Sequence, residues 1–332
     1  MNLRPFGLMI CLAAFAASSQ AQQYRAPLSS DGHPDLQGFW VNNNATPLER
    51  PAELANHPVL TDAEVGVMRK KAEEMFIGGK VDAAFGDNVF LATWANMKGL
   101  KTGFKSTDGE TGDYSSEWND HRVWDNRTSL ITDPADGRVP PLTARARKLR
   151  EDQRIARERP AHGPEDRSLS ERCISRGSPS VSAGYQSYYQ VVQTPAAVMV
   201  MTEMFHDARV INLESRPHVA ENVHQWLGDS RGHWEGDTLV VDTTNYRANA
   251  FQSLSSEKLH VTERFTRQDA ETIRYEITLN DPDTWTKPWS LLIPLQRSAQ
   301  PVYEYACHEG NIGLMGILAG ARADDKAAIS KR

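Results

Sequence analysis

Cysteine is scarce in this chain: three among 332 residues. One of them, Cys11, sits inside an apolar leader, so a cysteine-rich metal or disulfide scaffold is excluded. No basic patch or stripe is present, and the formal net charge is −6. Nucleic acid and anionic lipid surfaces are therefore not expected as partners. The chain also lacks an HExxH motif and a His-x-His pair, so a zinc hydrolase is not signalled. There are no solenoid-like repeats and no low-complexity tracts. No metal ligand set and no cofactor motif is expected. A zinc site from His206, His218, His224, His260 or His308 would have to form through tertiary contact alone.

The first residues, MNLRPFGLMICLAAFAASSQAQQ, combine a positive Arg4, an apolar stretch from Phe6 to Ala17 and a small-x-small Ser19-Gln20-Ala21. This is the pattern of a secretory signal peptide, too short for a stable transmembrane span. It predicts a periplasmic or secreted protein with no membrane association after cleavage. Two cysteines remain, Cys173 and Cys307. In an exported chain an even pair is read as one disulfide, nominally worth about 4 kcal/mol because it closes a long loop.

Hydrophobic periodicity divides the rest. Residues 22–175 read as a loop-rich and helical elaboration, 176–320 as a β region and 321–332 as a polar tail. Thr61-Asp62-Ala63-Glu64 is a capping box, followed by Val65, Met68, Ala72 and Met75 at helical spacing, which predicts a helix to about Phe76. Residues 80–125 have no clear period and suggest long loops with short elements. RTSLITDPADGRV reads as strand, turn, strand over 127–139. Thr143 is positioned to cap a second helix, highly charged and stopped by Pro160.

Beyond His162 the period becomes two. Strands are expected at Gly184 to Val192, Ala197 to Phe205, Arg209 to Leu213, Thr238 to Asn245, Lys258 to Arg267, Thr272 to Asn280, Ser290 to Gln296 and Val302 to Cys307. Short strands at hairpin spacing predict a mainly β fold, an antiparallel up-and-down barrel or a sandwich, with the N-terminal half packed over one mouth.

Charges interrupt these strands where a core would be apolar. Alternation puts Glu203 with Met199, Met201 and Phe205, and Glu263 with Leu259, Val261 and Phe265. Two carboxylates inside one barrel would form an acid/base pair. The competing account is that each is neutralised by an arginine, for example Arg209, Arg231 or Arg264. Glu276 and His260 fall on polar faces and are expected outside. His206, in EMFHDAR, could return toward Glu203 across a bend or lie in water at a hairpin tip. His308 and Glu309 follow the expected disulfide, which would hold them in place.

The opening Leu36-Gln37-Gly38-Phe39-Trp40 resembles the Gly-x-Trp start of lipocalin-like barrels, and the later meander resembles their up-and-down strands. GPEDRSLSERCI, EMFHDARVI, QWLGDSRGHWEGDTLVVDTTNY, LHVTERFTR, DPDTWTKPW and YACHEGN look like a recurring family of exported bacterial proteins. That resemblance implies compartment and architecture, and no activity. The residues themselves support an exported enzyme doing elimination or hydrolysis on a small organic or glycosidic substrate. Glu203 and Glu263 would be its carboxylates and His206 and His308 its proton carriers. Arg209 or Arg231 would stabilise an anion, and Trp226 and Trp234 would form the ligand platform. The alternatives are a non-catalytic carrier for an apolar or aromatic small molecule, and a structural envelope protein whose charges pair internally. Each makes a separate geometric demand: the four catalytic candidates converge, a deep apolar cavity is present, or the carboxylates are arginine-paired.

Overall fold

The computed structural model describes residues 24–76, 86–100, 121–181, 183 and 187–330. The expected signal peptide with Cys11, and much of the 80–125 region, lie outside them. Among the described residues one sheet contains ten strands: β1 (Gly38–Val41), β2 (Ile131–Asp133), β3 (Tyr188–Gln193), β4 (Ala197–Thr202), β5 (Ala208–Asn212), β6 (Asp229–Glu235), β7 (Thr238–Thr244), β8 (His260–Arg267), β9 (Thr272–Asn280) and β10 (Trp289–Ser298). The order runs β1-β3-β4-β5-β6-β7-β8-β9-β10, with β2 attached to the start of β10. Pairing of Phe39 with Ser298 and Val41 with Gln296 closes β1 onto β10, leaving a ring of nine strands. The mainly β, lipocalin-like barrel expected from the sequence is therefore present. It is mixed, because β5 and β6 pair in parallel through Ile211–Ser230 and Asn212–Arg231.

Alternation explains how the barrel holds together. Val261, Phe265, Ile273, Tyr275, Ile277, Leu279, Leu291, Ile293 and Leu295 point inward and are nearly or fully buried, while their neighbours along each strand face out. Pro294 is tolerated in the middle of β10 because of where its missing N–H would point. β2 pairs with β10 at Ser290 and Leu291 and β1 pairs at Gln296 to Ser298, so this edge is unpaired by strands between them. The Leu292 N–H, two residues earlier and on the same side, donates to the Leu130 carbonyl instead. The proline thus removes no ladder bond.

One end of the barrel is sealed by Trp40. Its ring is fully buried and its Nε1 donates to the Leu36 carbonyl at 2.9 Å. The guanidinium groups of Arg267 and Arg297 lie 5.0 and 5.1 Å from the ring centroid, within cation–π range. Arg267 also donates to the carbonyls of Asp35 and Ala270, both at 2.8 Å, tying the N-terminal segment to the barrel floor.

Among the described residues four α-helices decorate the barrel: α1 (Asp62–Phe76), α2 (Asn88–Met97), α3 (Ala144–Arg157) and α4 (Ile312–Ser330). The Thr61–Glu64 capping box forms, with the Thr61 N–H donating to Glu64 and the Glu64 N–H to the Thr61 hydroxyl. Thr143 caps α3 by accepting from the Ala146 N–H. No helix among the described residues is long and apolar enough to cross a membrane.

Four expectations change. β6, absent from the strand candidates, was masked because its inward positions are Ser230, Gly232 and Trp234, which carry little apolar signal. α2 buries Val89, Phe90, Ala92, Thr93 and Trp94, so it is apolar around most of its circumference and shows no clean period. Residues 302–307 are irregular, not a strand: side chains take the Tyr303 and Tyr305 N–H groups, and the Tyr305 carbonyl takes that of Cys307. The expected polar tail is the second half of α4, which Arg322 anchors to the Ala161 and His162 carbonyls.

Replacing Trp40 with Ala removes the floor of the barrel and leaves two arginines facing a void. A loss of about 3–5 kcal/mol in urea-unfolding stability is expected. A loss below about 1 kcal/mol, the ordinary effect of a substitution, would show that Trp40 does not seal the barrel.

Candidate functional site

The first inward charge is Glu263 on β8, fully buried, facing Arg209 on β5, which is 6% exposed. Arg209 grips it with both terminal nitrogens: Nη2 donates to Oε1 at 2.7 Å and Nη1 to Oε2. The Tyr275 hydroxyl donates to the same Oε1 at 2.5 Å. Ser230 and Thr243, themselves 2.9 Å apart, receive weaker contacts from Nη1 at 3.4 and 3.3 Å. Burial alone would lower the pKa of Arg209, but the charge and hydrogen bonds of Glu263 outweigh it and hold the guanidinium above its ordinary value. Burial, reinforced by the Glu263 charge, raises Tyr275 well above a normal phenol. Burial likewise pushes Tyr189 up to about 12.

Glu263 is therefore a saturated acceptor in an ion pair, and Arg209 is committed to it. This matches the arginine-neutralised alternative and not the acid/base role considered for Glu263. Beside the pair lies an enclosed space of about 20 Å³, between Ser178–Ser180, Asp207, Arg209, Tyr189 and Tyr275. That is room for about one water.

Glu203 follows β4 instead of extending it, opening a turn in which Phe205 and His206 take left-handed backbone conformations, φ 64° and 52°. Glu203 Oε2 accepts the Tyr303 N–H at 2.9 Å, and His206 Nε2 accepts the Tyr305 N–H at 2.8 Å. The Phe205 and Tyr305 rings meet edge to face, 5.1 Å apart. Two residues on, Cys307 is bonded to Cys173, with Cα atoms 5.7 Å apart. The two side chains read as catalytic thus clasp the C-terminal segment, and the disulfide completes the fastening. His308, just past the disulfide, is exposed. None of Glu203, His206, Glu263 or His308 lines either of the two cavities described in this section. The expected convergence is absent.

The two tryptophans read as one platform are separated by the full length of β6. Trp234, near its end, stacks on His33 with centroids 4.7 Å apart and planes 3° from parallel. Trp226 precedes its start, with the Arg247 guanidinium 4.7 Å from the ring centroid. Of the two cavities described in this section, Trp226 lines one and Trp234 neither.

Arg231 lies on the outer face of β6 and grips Asp229 through two contacts of 3.1 Å. It belongs to a chain of hydrogen bonds across neighbouring strands. His218 Nδ1 contacts Asp229 and His218 Nε2 contacts Asp242, both at 2.9 Å, and His260 Nε2 contacts the other oxygen of Asp242. Asp242, the hub, was not singled out from the sequence. The signal lay in the register, which sets Arg231 opposite Asp242 and Asp242 opposite Thr262. Hydrogen bonding to His260 holds the Asp242 carboxyl below its usual range, and the same bond raises His260.

The larger cavity is a cleft of about 520 Å³ outside the barrel. One wall is α3, through Leu149, Gln153, Ala156 and Arg157; another is the 165–172 segment; the rest is Trp226 with Ala248, Asn249 and Ser253. The 245–253 wall is backbone-strained, with Asn245, Asn249, Gln252 and Ser253 all left-handed, a feature that recurs at binding sites. It is also locked. Gln153 Nε2 donates to the Ser253 carbonyl at 2.8 Å, and a Cβ on Gly177 (φ +94°) would lie 2.5 Å from the Ala250 carbonyl. No sequence period marks this cleft, because its residues come from four separate segments.

Two outcomes test these assignments. Glu263→Gln strands a buried guanidinium and is expected to lower stability by about 3–5 kcal/mol, while the paired replacement Arg209→Met with Glu263→Leu recovers most of it. Urea unfolding reads both, and a single variant as stable as the parent would reject the ion pair. Because His260 is raised, its contribution to stability is complete below about 6.5 and fades as pH climbs through its folded pKa; because Asp242 is lowered, its contribution is complete above about 3.8 and fades on acidification. The melting difference between the parent and Asp242→Asn should therefore be largest near pH 5 and shrink toward pH 9. A difference independent of pH would show that the His–Asp chain is not ionised as drawn.

Comparison with protein families, with curated proteins and with solved structures finds no match to this chain.

Proposed function

We propose that this chain is an exported small-molecule-binding protein that uses its barrel as scaffold and the α3 cleft as binding site. The observation that carries this is the cleft itself: about 520 Å³, within the roughly 300–1,000 Å³ of ligand pockets, walled by rigid elements and floored by a tryptophan. The leader pattern and the Cys173–Cys307 disulfide support export. Among the described residues, aromatic and branched side chains pack the barrel interior, and Arg209 and Glu263 neutralise one another there. None of the four groups expected to be catalytic, Glu203, His206, Glu263 and His308, lines this cleft. Glu203, His206 and Glu263 instead spend their acceptors on structural partners.

Native mass spectrometry of protein purified from its own cells should show a bound small molecule. Ala156→Trp, which fills the cleft from α3, should abolish that adduct while preserving the fold by circular dichroism. An adduct that survives Ala156→Trp, or its absence from the parent, would reject the cleft as the site.

A further inference from the structure

We infer that the cleft selects an anion: a flat apolar or aromatic molecule bearing a carboxylate or a chemically similar acidic group. This rests on the cleft being the binding site and adds the class of its ligand. Four arginines line it, Arg157, Arg159, Arg167 and Arg172. Two are partly spoken for: Arg159 lies 3.7 Å from Asp166, and Arg167 pairs with Glu171. Arg157 and Arg172 have no ion-pair or side-chain hydrogen-bond partner among the described residues. Arg167 contributes more, because its Nε is buried without a hydrogen-bond partner while its Nη2 is engaged.

The carboxylates around the cleft do not cancel this surplus. Asp152 turns to Lys148 along the exposed face of α3 at 2.5 Å. Asp166 accepts the His162 N–H at 2.8 Å as well as facing Arg159. Glu165 is exposed at the rim. Against Glu165 stand Arg157 and Arg172, and just outside the lining the Arg247 guanidinium lies 4.7 Å from the Trp226 ring centroid. A guanidinium presents paired N–H donors that match a carboxylate with two parallel hydrogen bonds, and it stacks on aromatic faces. Trp226 supplies a flat apolar surface in the same cleft, and Asn249 adds a carboxamide without a side-chain partner among the described residues. Cation, flat wall and amide are the elements that recognise an aromatic or fused-ring acid. The carboxylates an ammonium ligand would need, Asp152, Glu165 and Asp166, are fewer than the arginines, and two of them already face a cation.

The experiment titrates the full mature protein with three probes of one shape: naphthalene-2-carboxylate, its neutral amide, and 2-(aminomethyl)naphthalene. Calorimetry gives affinities at low and moderate salt, and Trp226→Phe identifies which quenching signal comes from the cleft. The carboxylate is expected to bind about tenfold or more tightly than the amide, with the preference falling as salt rises. Arg157→Gln with Arg172→Gln, both on the rim, should leave the melting temperature unchanged and equalise carboxylate and amide. Equal affinities in the parent would overturn the anion inference and leave the small-molecule site standing, as would preference for the amine. Failure of all three probes to bind also overturns it, and the adduct test above decides separately whether the cleft binds anything.

Discussion

A four-residue strand closes this molecule. β1 slots between β3 and β10, pairing with Tyr188 to Val191 on one side and with Gln296 to Ser298 on the other. Without it the sheet would present two long edges, each a row of unpaired N–H and C=O groups. So short a strand has few backbone hydrogen bonds to hold it. Trp40 compensates by burying its whole ring between Arg267 and Arg297, so closure depends on side-chain packing as much as on the ladder. Arg267 also binds the N-terminal segment beneath, through the Asp35 carbonyl and the Tyr24 hydroxyl, which makes one end of the barrel a floor.

Inside the barrel the Arg209–Glu263 pair solves a different problem. β5 and β6 run parallel, and between Ile211 and β7 the interior narrows: a Cβ on Gly232 would approach Ile211 to 2.7 Å and Leu213 to 2.9 Å. Next to that constriction sit Ser230, Thr243 and the ion pair, satisfied by one another and by Tyr275. Buried pairs of this kind contribute little net stability over apolar replacements but are strongly destabilising when one partner is lost. They fix which side chains face inward. A one-residue slip of β8 would expel Glu263 and bury Arg264, leaving Arg209 with no counter-charge.

The β strands were legible because β7 to β10 alternate apolar and polar residues over seven to ten positions, and both signalled helix caps formed. The Cys173–Cys307 bond was legible as an even pair, the two cysteines left once Cys11 is set aside with the expected signal peptide. What alternation could not reveal was anything set by tertiary contact. Glu203 and Glu263 look alike in sequence, each among apolar neighbours at period two. One is an inward strand residue, while the other has left its strand and receives the backbone of residue 303. Arg209 was considered both as an anion stabiliser and as a neutralising partner, and only the register of β5 against β8 across the barrel decides between them. Trp226 and Trp234 seemed one platform because they are close in sequence, yet the strand between them carries them to opposite ends.

The position of the cleft follows from how the barrel is filled. A lipocalin-like ring that held its ligand inside would need small or absent side chains along its axis. Here Phe265 and Tyr275 stack at 4.4 Å, and Trp285 and Trp289 meet edge to face at 5.5 Å, so the interior is spent on packing. Volume for a ligand then arises only where an added element meets the outer wall at a distance, and α3 is that element. Its cleft face carries Leu149, Asp152, Gln153, Ala156 and Arg157, while Lys148–Asp152 and Arg154–Glu151 pairs lace its exposed side. Those pairs, three and four residues apart, support the helix by a few tenths of a kcal/mol each and consume charges that would otherwise compete in the cleft. The opposite wall cannot yield, because Gly177 packs against the Ala250 carbonyl and Gln153 bridges to Ser253. A rigid gap of fixed chemistry is what a selective site requires. In this protein it is built on the outside of a barrel too full to hold one.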